Sequence, residues 1–426
     1  MNFNSYPYVP NYIVLRKYKN HNIYDLYNDE SYIIDEEAYE ILRSADGLNT
    51  ISQIVENFPD NKKNIVLKGI EQFEQLGIIK VSSSKILDEQ IKTLQHINIP
   101  NDNPFKPPYL KNLMINITER CNLSCKHCYI TEKNKIDMPL KDIISIINDF
   151  YKYQGIRLIL TGGEPLLYSK FKQLLIKLNT VPLQKVILTN GILITDLEEE
   201  IINLLKKNYF EVFVSIDGLE KSHNDFRNAN CFNNAIKGIR RLLNNDITVS
   251  INTMVHRQNF DEFEELYKII SDLGKIRNWS IDIPTFDKEN PKEIREKYEI
   301  SYEEGAEILK NYGWGVIYET LSEGEVVDYA CGPYLMAVDV IGNITKCGFS
   351  FYDESFGNVF KLGLKKSWEL IQKNLNWSIQ DLECAKIECE YLDECRGGCR
   401  YRALQHTGNI HGIDSFKCYQ FGKLKK

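Results

Sequence analysis

From residue 110 onward the chain alternates apolar strand-like runs with helical patterns six times, and this alternation restricts the fold more than any other feature. The strand candidates are LKNLMINIT (110–118), RLILTG (157–162), KVILTN (185–190), EVFVSID (211–217), TVSINTMV (248–255) and NWSIDIP (278–284). Between them, segments such as LKDIISIINDFYKY and LEEEIINLLKKN carry apolar residues at helical spacing. Consecutive strand–helix units imply parallel strands with right-handed crossovers, so the expected fold class is α/β, an open or partial (β/α)6 barrel. Ligands of such folds gather at the C-terminal ends of the strands. The motifs fall there: TERCNLSCKHCY follows the first strand, TGGEP (161–165) the second, TNG (189–191) the third and SIDG (215–218) the fourth.

Eleven cysteines need a reason. None precedes Cys121, three crowd the first loop, Cys231 stands alone, and seven lie between Cys331 and Cys418. Hydrophobic residues at 43% and charged residues at 26% suit a soluble globular protein. A formal charge of −7 leaves no basic footprint, so no nucleic-acid partner is expected. No apolar run approaches bilayer length and MNFNSYPYVPNY is no signal peptide, so no membrane partner and a cytoplasmic location are expected. Thiols stay reduced there, and metal becomes the leading explanation for the cysteines.

Three readings compete for Cys121, Cys125 and Cys128. A zinc knot wants a fourth ligand at short range. His127 is available, but four donors on one short loop make a poor tetrahedron. A redox pair needs only two thiols. Three thiolates at C-x3-C-x2-C spacing can instead hold three irons of a [4Fe–4S] cube and leave the fourth exposed.

That loop, placed after a first barrel strand, resembles the radical S-adenosylmethionine (SAM) superfamily over residues 109–325. The resemblance implies that SAM chelates the open iron and is cleaved to a 5′-deoxyadenosyl radical. It also implies that Gly162, Gly163, Glu164 and Pro165 lie beside the methionine amino group, with Glu164 as anionic acceptor. Asn190, Ser215 and Asp217 would contact ribose and methionine, and Arg227 the methionine carboxylate. Met254 would lie near the adenine, and His127 fills the family's aromatic position. Cys231, opening a helical pattern, reads as an inert core thiol.

The seven later cysteines, glycine-punctuated and with little helical periodicity, read as a small unit held by metal rather than by a large core. Their order resembles the SPASM domain, here residues 326–426, which carries two auxiliary [4Fe–4S] clusters. By position, Cys331, Cys347 and Cys399 would hold the first, and Cys384, Cys389, Cys395 and Cys418 the second. The first has only three evident cysteine ligands, which suggests an iron that is open or bound by another group. The rival is a zinc ribbon. Sulfatase-maturing relatives carry Asp after the cysteine matching Cys347; here that residue is Gly348, which disfavours formylglycine formation.

Residues 1–84 contain no cysteine. YIVLRKY, IYDLYN and SYIID read as strands, and EEAYEILRSADG, TISQIVENF and KNIVLKGIEQFEQLGIIKV as helices. Strands with three helices suggest a winged helix-turn-helix. Its third helix offers Lys68 against Glu71 and Glu74, poor for phosphate contact. The stretch resembles the peptide-binding domain of pyrroloquinoline quinone biosynthesis, which implies that a precursor's leader adds as a strand. The candidate groove is the edge from Tyr24 to Tyr32 with the helix from Ile70 to Leu76. Residues 85–108 read as a linker.

Together these resemblances imply a radical SAM maturase of a ribosomal precursor peptide, forming thioether bridges and drawing electrons from a donor such as ferredoxin or flavodoxin. Carbon–carbon crosslinking shares all the same modules. An iron–sulfur transcription regulator is the alternative from another class, and it leaves TGGEP and the strand–helix units unexplained.

Overall fold

The structure is a computed structural model describing residues 2–86, 103–130, 134–179, 181–286, 290–313, 328–348 and 356–423. Most of the expected linker (87–102) and the boundary expected at 325/326 lie outside the described residues.

All six strand candidates form strands: β6 Asn112–Asn116, β7 Arg157–Thr161, β8 Gln184–Thr189, β9 Phe210–Ser215, β10 Thr248–Met254 and β11 Trp279–Asp282. Neighbours pair in parallel in chain order. The runs are almost wholly buried because helices cover one face and the curved sheet closes over the other. Met114, Ile159, Val186 and Phe213 fill the inside of the curve. Outside, the helix Leu140–Lys152 buries Ile143, Ile146, Ile147 and Phe150, a single stripe at helical spacing.

The sheet runs on past these six. β12 (Leu335–Val338) pairs in parallel with β6, and β13 (Ile344–Thr345) folds back antiparallel on β12. Cysteine-framed and short, this LMAV run gave no strand signal of its own; it becomes one because β6 offers an unpaired edge. The helix Val359–Leu375 was also hidden, since Gly363 breaks its dihedrals at φ 74° and interrupts the pattern. It buries Leu364, Trp368 and Ile371 in the main barrel core, so the cysteine-rich segment is anchored by apolar packing as well.

The N-terminal residues form the expected strands and helices: β2 Ile13–Lys17, β3 His21–Asp25 and β4 Glu30–Ile34 in one antiparallel sheet, with helices Glu36–Ser44, Ile51–Glu56 and Lys63–Gln75. A further pair, β1 (Tyr6–Tyr8) with β5 (Lys80–Ser82), ties the ends of this segment together. Alternate residues serve two cores: Ile13, Leu15 and Ile23 pack on the three helices, while Val14, Tyr24 and Leu26 pack against the barrel. Arg16 donates to the carbonyls of Gly155 (2.9 Å) and Pro182 (2.8 Å), and Arg157 pairs with Asp29. β2 and β4 are the two edges of this sheet among the described residues, and β2 is the one whose Arg16 reaches the barrel. Tyr24, Leu26 and Ile70 of the expected groove are buried in these cores, whereas Tyr32 and Leu76 are exposed, as is Ile33 next to the groove. Strand alternation and the helix stripe decide which side of each residue faces out. Among the described residues no helix is long and apolar enough to cross a membrane.

Candidate active site

The loop after β6 is held from two sides. Gly163 N–H donates to Thr118 O and Glu164 N–H to Arg120 O, both at 2.7 Å, so the loops after β6 and β7 are joined by a short ladder. A Cβ on Gly162 would lie 2.3 Å from Thr118 O, and one on Gly163 2.4 Å from Arg120 O. These glycines are required by the approach of the two loops. On the other side, Lys126 N–H donates to Phe226 O at 3.0 Å.

Cys121, Cys125 and Cys128 thereby line one cavity of about 170 Å3 with His127, Gly162, Gly163, Asn190, Ser215, Arg227 and Met254. Most of the residues expected at the site are thus brought together. Glu164, Pro165 and Asp217 are not on its walls. Glu164 is buried behind them: its Oε1 accepts from Thr189 Oγ1 (2.7 Å) and its Oε2 from Asn190 N–H (2.9 Å), tying the β7 loop to the β8 loop. Burial raises its pKa against those hydrogen bonds. Asp217 is fully buried beside Arg227. Burial alone would raise its carboxyl, but the guanidinium outweighs it and holds the group down at about 2.

Sequence reasoning missed several wall residues. Asn252 follows from strand period, two places before Met254 on β10; Tyr129, Leu123 and Leu188 carried no signal. It also missed two histidines behind the wall. His223 and His256 are buried, and burial drops each to about 4, so both are neutral. His127 stacks on Phe226 (4.2 Å between ring centres), which stacks on His256 (4.0 Å). Burial and the Arg227 charge hold His127 at about 3. Cys231 meets its expectation in one respect: it is 3% exposed and burial pushes it up to about 11.

The seven later cysteines separate into two groups. Cys331, Cys347 and Cys399 line a cavity of about 460 Å3 with Lys346, Arg400 and Tyr401. Cys384, Cys389, Cys395 and Cys418 line another, with Tyr391 and Phe421. Cys399 donates to Cys331, which pulls the Cys331 thiol down to about 7 and pushes Cys399 up. Burial keeps Cys384, Cys395 and Cys418 protonated, so loading a metal there would release protons. Gly348 lines the first cavity while its neighbour Cys347 lines the second, so the two spaces adjoin through one dipeptide.

The residues fit an iron–sulfur group on the chemistry of the donor set. All eleven cysteines are free thiols, and ten of them lie in the three groups. Leu123 N–H approaches Cys121 Sγ at 3.5 Å and Arg227 Nη1 approaches Cys125 Sγ at 3.8 Å, donors suited to thiolates. His127 Nδ1 and both amide atoms of Asn116, which sits against Gly162, are buried without a hydrogen-bond partner. Among the described residues no three His, Cys, Asp or Glu side chains converge on a single-ion position, so the thiol sets are not arranged about one metal atom.

Residues 115–270 match the model of the Radical SAM superfamily. The mycofactocin maturase MftC of Mycolicibacterium smegmatis is 24% identical over 300 residues, which cover 66% of this chain and 76% of MftC. The radical SAM cyclopropyl synthase TigE of Paramaledivibacter caminithermalis is 26% identical over 433 residues, covering 90% of this chain and 87% of TigE. Among solved structures, Streptococcus suis SuiB bound to its precursor peptide SuiA superposes with a TM-score of 0.65 over 96% of this chain and 99% of SuiB. At 18% identity that likeness is one of fold. The family match runs from β6 into the helix after β10 and takes in the loops that carry Cys121, Cys125, Cys128 and TGGEP.

Proposed function

We propose that this chain is a maturase of a ribosomally made precursor peptide, closing intramolecular thioether bridges between a cysteine sulfur and a carbon of an acceptor residue. The observation that carries this reading is the dipeptide Cys347–Gly348. Cys347 shares its cavity with Cys331 and Cys399, and Gly348 faces the cavity of Cys121, Cys125 and Cys128. A substrate sulfur held among the first three thiols is one residue from the space where a radical would form.

Cys121, Cys125 and Cys128 would hold a [4Fe–4S] cluster that, with SAM, supplies a 5′-deoxyadenosyl radical. The C-terminal thiols would hold two auxiliary clusters, Cys331, Cys347 and Cys399 the first and the remaining four the second. The protein's own contribution is position and exclusion of water. Met114, Leu123, Ile130 and Leu188 make the barrel-end cavity apolar, which protects a radical from quenching. Asn190, Ser215 and Asn252 supply polar groups on its wall, and Arg227 supplies a buried cation. Closing one bridge removes two hydrogens from the peptide. One leaves as an atom, the other as a proton from the thiol, and the remaining electron goes to an acceptor of the iron–sulfur class. Gly348 brings no carboxylate to the wall, which speaks against formylglycine formation.

The N-terminal unit would capture the leader. Among the described residues β4 pairs on one side only, with Tyr32 and Ile33 exposed, which suits it to an added strand. SuiB, similar in fold over nearly the whole chain, is known bound to a precursor peptide. Carbon–carbon bond formation is the second reading, favoured by the similarity to TigE, a cyclopropyl synthase, over 90% of the chain.

The test is to incubate the reconstituted, reduced enzyme with SAM and candidate cysteine-containing precursor peptides. Loss of two hydrogens with a core thiol no longer alkylatable supports the thioether. The same loss with every thiol free supports the second reading. No 5′-deoxyadenosine refutes both.

A further inference from the structure

Asp217 follows β9, is wholly buried, and stands two residues beyond Ser215 on the cavity wall. Every polar atom it has is taken. Its N–H donates to His223 Nδ1 (3.0 Å), and its carbonyl accepts from Asn259 Nδ2 (3.1 Å) and faces His256 Nε2 (3.2 Å). Its Oδ1 accepts from Met254 N–H (2.8 Å), and its Oδ2 from Arg227 Nε. The two imidazoles have determined tautomers. His223 Nδ1 accepts a backbone N–H, so its proton is on Nε2, 3.3 Å from Cys231 Sγ. His256 Nδ1 accepts from Gln258 N–H (3.2 Å), so its Nε2–H is directed at Asp217 O. Each carboxylate oxygen already has a donor and the residue is wholly buried; of its partners, Arg227 and Met254 line the cavity, and only Arg227 brings it a side chain.

We propose that Asp217 is a positioning residue: clamped by His223, His256 and the Met254 backbone, it fixes the Arg227 guanidinium so that Nη1 donates to Cys125 Sγ. This rests on the reading of Cys121, Cys125 and Cys128 as cluster ligands. A guanidinium is a planar fork, so fixing Nε on Asp217 fixes the direction of Nη1. A hydrogen bond to a ligating sulfur withdraws electron density from it and favours the reduced cluster. Asp217 therefore acts on the cluster before SAM arrives, whereas a residue that only touches SAM acts after.

The experiment compares anaerobically reconstituted full-length enzyme with Asp217→Asn, Arg227→Lys and the double variant, in a redox titration without SAM followed by electron paramagnetic resonance. The cluster of interest is the one whose signal changes when SAM is then added. Arg227→Lys keeps the charge and should move its SAM-free midpoint to more negative potential. Asp217→Asn also removes a buried negative charge, which by itself raises the potential, so its effect is read as a difference: the shift it causes should be more negative in the otherwise unmodified enzyme than in the Arg227→Lys background. Both carboxylate oxygens of Asp217 accept from donors, so the Asn amide must confront one of them and that variant is at risk of losing iron. The unmodified enzyme labelled with 15N-arginine supplies an independent measurement: a weak 15N coupling to the SAM-free reduced cluster, absent in Arg227→Lys. Equal Asp217→Asn shifts in the two backgrounds, at full iron content, overturn the proposal, as does absence of the 15N coupling in the unmodified enzyme. Unmodified protein that takes up no iron and sulfide defeats the underlying cluster assignment instead, and the proposal with it.

Discussion

Replacing Gly163 by alanine adds one methyl group at the point where the cysteine loop meets the loop after β7. Its Cβ would lie 2.4 Å from Arg120 O, 2.7 Å from Glu119 O and 2.8 Å from Arg120 C. All three are backbone atoms, so no side chain can rotate away and the loop itself must retreat by roughly 1 Å. Arg120 O also accepts from Glu164 N–H at 2.7 Å, so retreat stretches that bond. Overpacking of this kind costs about 1–3 kcal/mol, and the weakened hydrogen bond about 1 kcal/mol more. Global stability should therefore fall by about 2–4 kcal/mol, short of unfolding a domain of ordinary stability. The functional effect should be larger, because Cys121 follows Arg120 directly and a displacement near 1 Å in catalytic geometry costs on the order of 10²-fold. Urea denaturation gives the first quantity; iron and sulfide content with 5′-deoxyadenosine yield gives the second. If Gly163→Ala retains the iron content and nucleoside yield of the unmodified enzyme, the loop ladder does not set the site and the reasoning is wrong.

Lys185 is 3% exposed, its Nζ 3.3 Å from the carbonyl of Asn208 at a helix end, and burial lowers it to about 7. Between that value and the ordinary 10.5 the unfolded chain binds the extra proton, so stability rises with pH across this window, by roughly 2 kcal/mol from pH 7 to pH 9. Lys185→Met should be more stable at pH 7 and lack that rise; equal pH slopes in urea titrations of the two proteins would contradict it. Arg157→Ala strands the Asp29 carboxylate at the junction of the N-terminal unit and the barrel, and should cost about 3 kcal/mol in urea denaturation, with a loss under 1 kcal/mol counting against a structural role for the pair. Ile33→Asp, at an exposed position on the edge strand β4, should weaken binding of the leader peptide by calorimetry at least about tenfold while leaving iron content unchanged. Undiminished leader affinity would move the binding surface elsewhere.

The barrel strands and their order were legible because each is a continuous apolar run followed by an amphipathic helix, a pattern carried by consecutive residues. The division of the later cysteines into a group of three and a group of four followed from a resemblance in their order, and the two cavities reproduce that division. β12 was not legible. Four apolar residues give no direction to pair in, and only the exposed flank of β6 supplies one. The helix Val359–Leu375 was masked by the glycine kink in its first turns. Asp217 and Glu164 carry charge beside the motifs and so read as ligand contacts; in the structure neither lines the cavity, and both accept hydrogen bonds from residues of neighbouring loops.

Period and spacing along the chain determined which segments become strands and helices, and which loops carry thiols, because those properties depend on neighbours in sequence. Whether a given polar side chain faces ligand or protein was decided only by tertiary structure. Asp217 is occupied by groups from residues 223, 227, 254, 256 and 259, spread over the helix Glu220–Arg227, β10 and the turn after it. A carboxylate's free valences depend on what folds against it, and that sum is fixed only when distant segments meet.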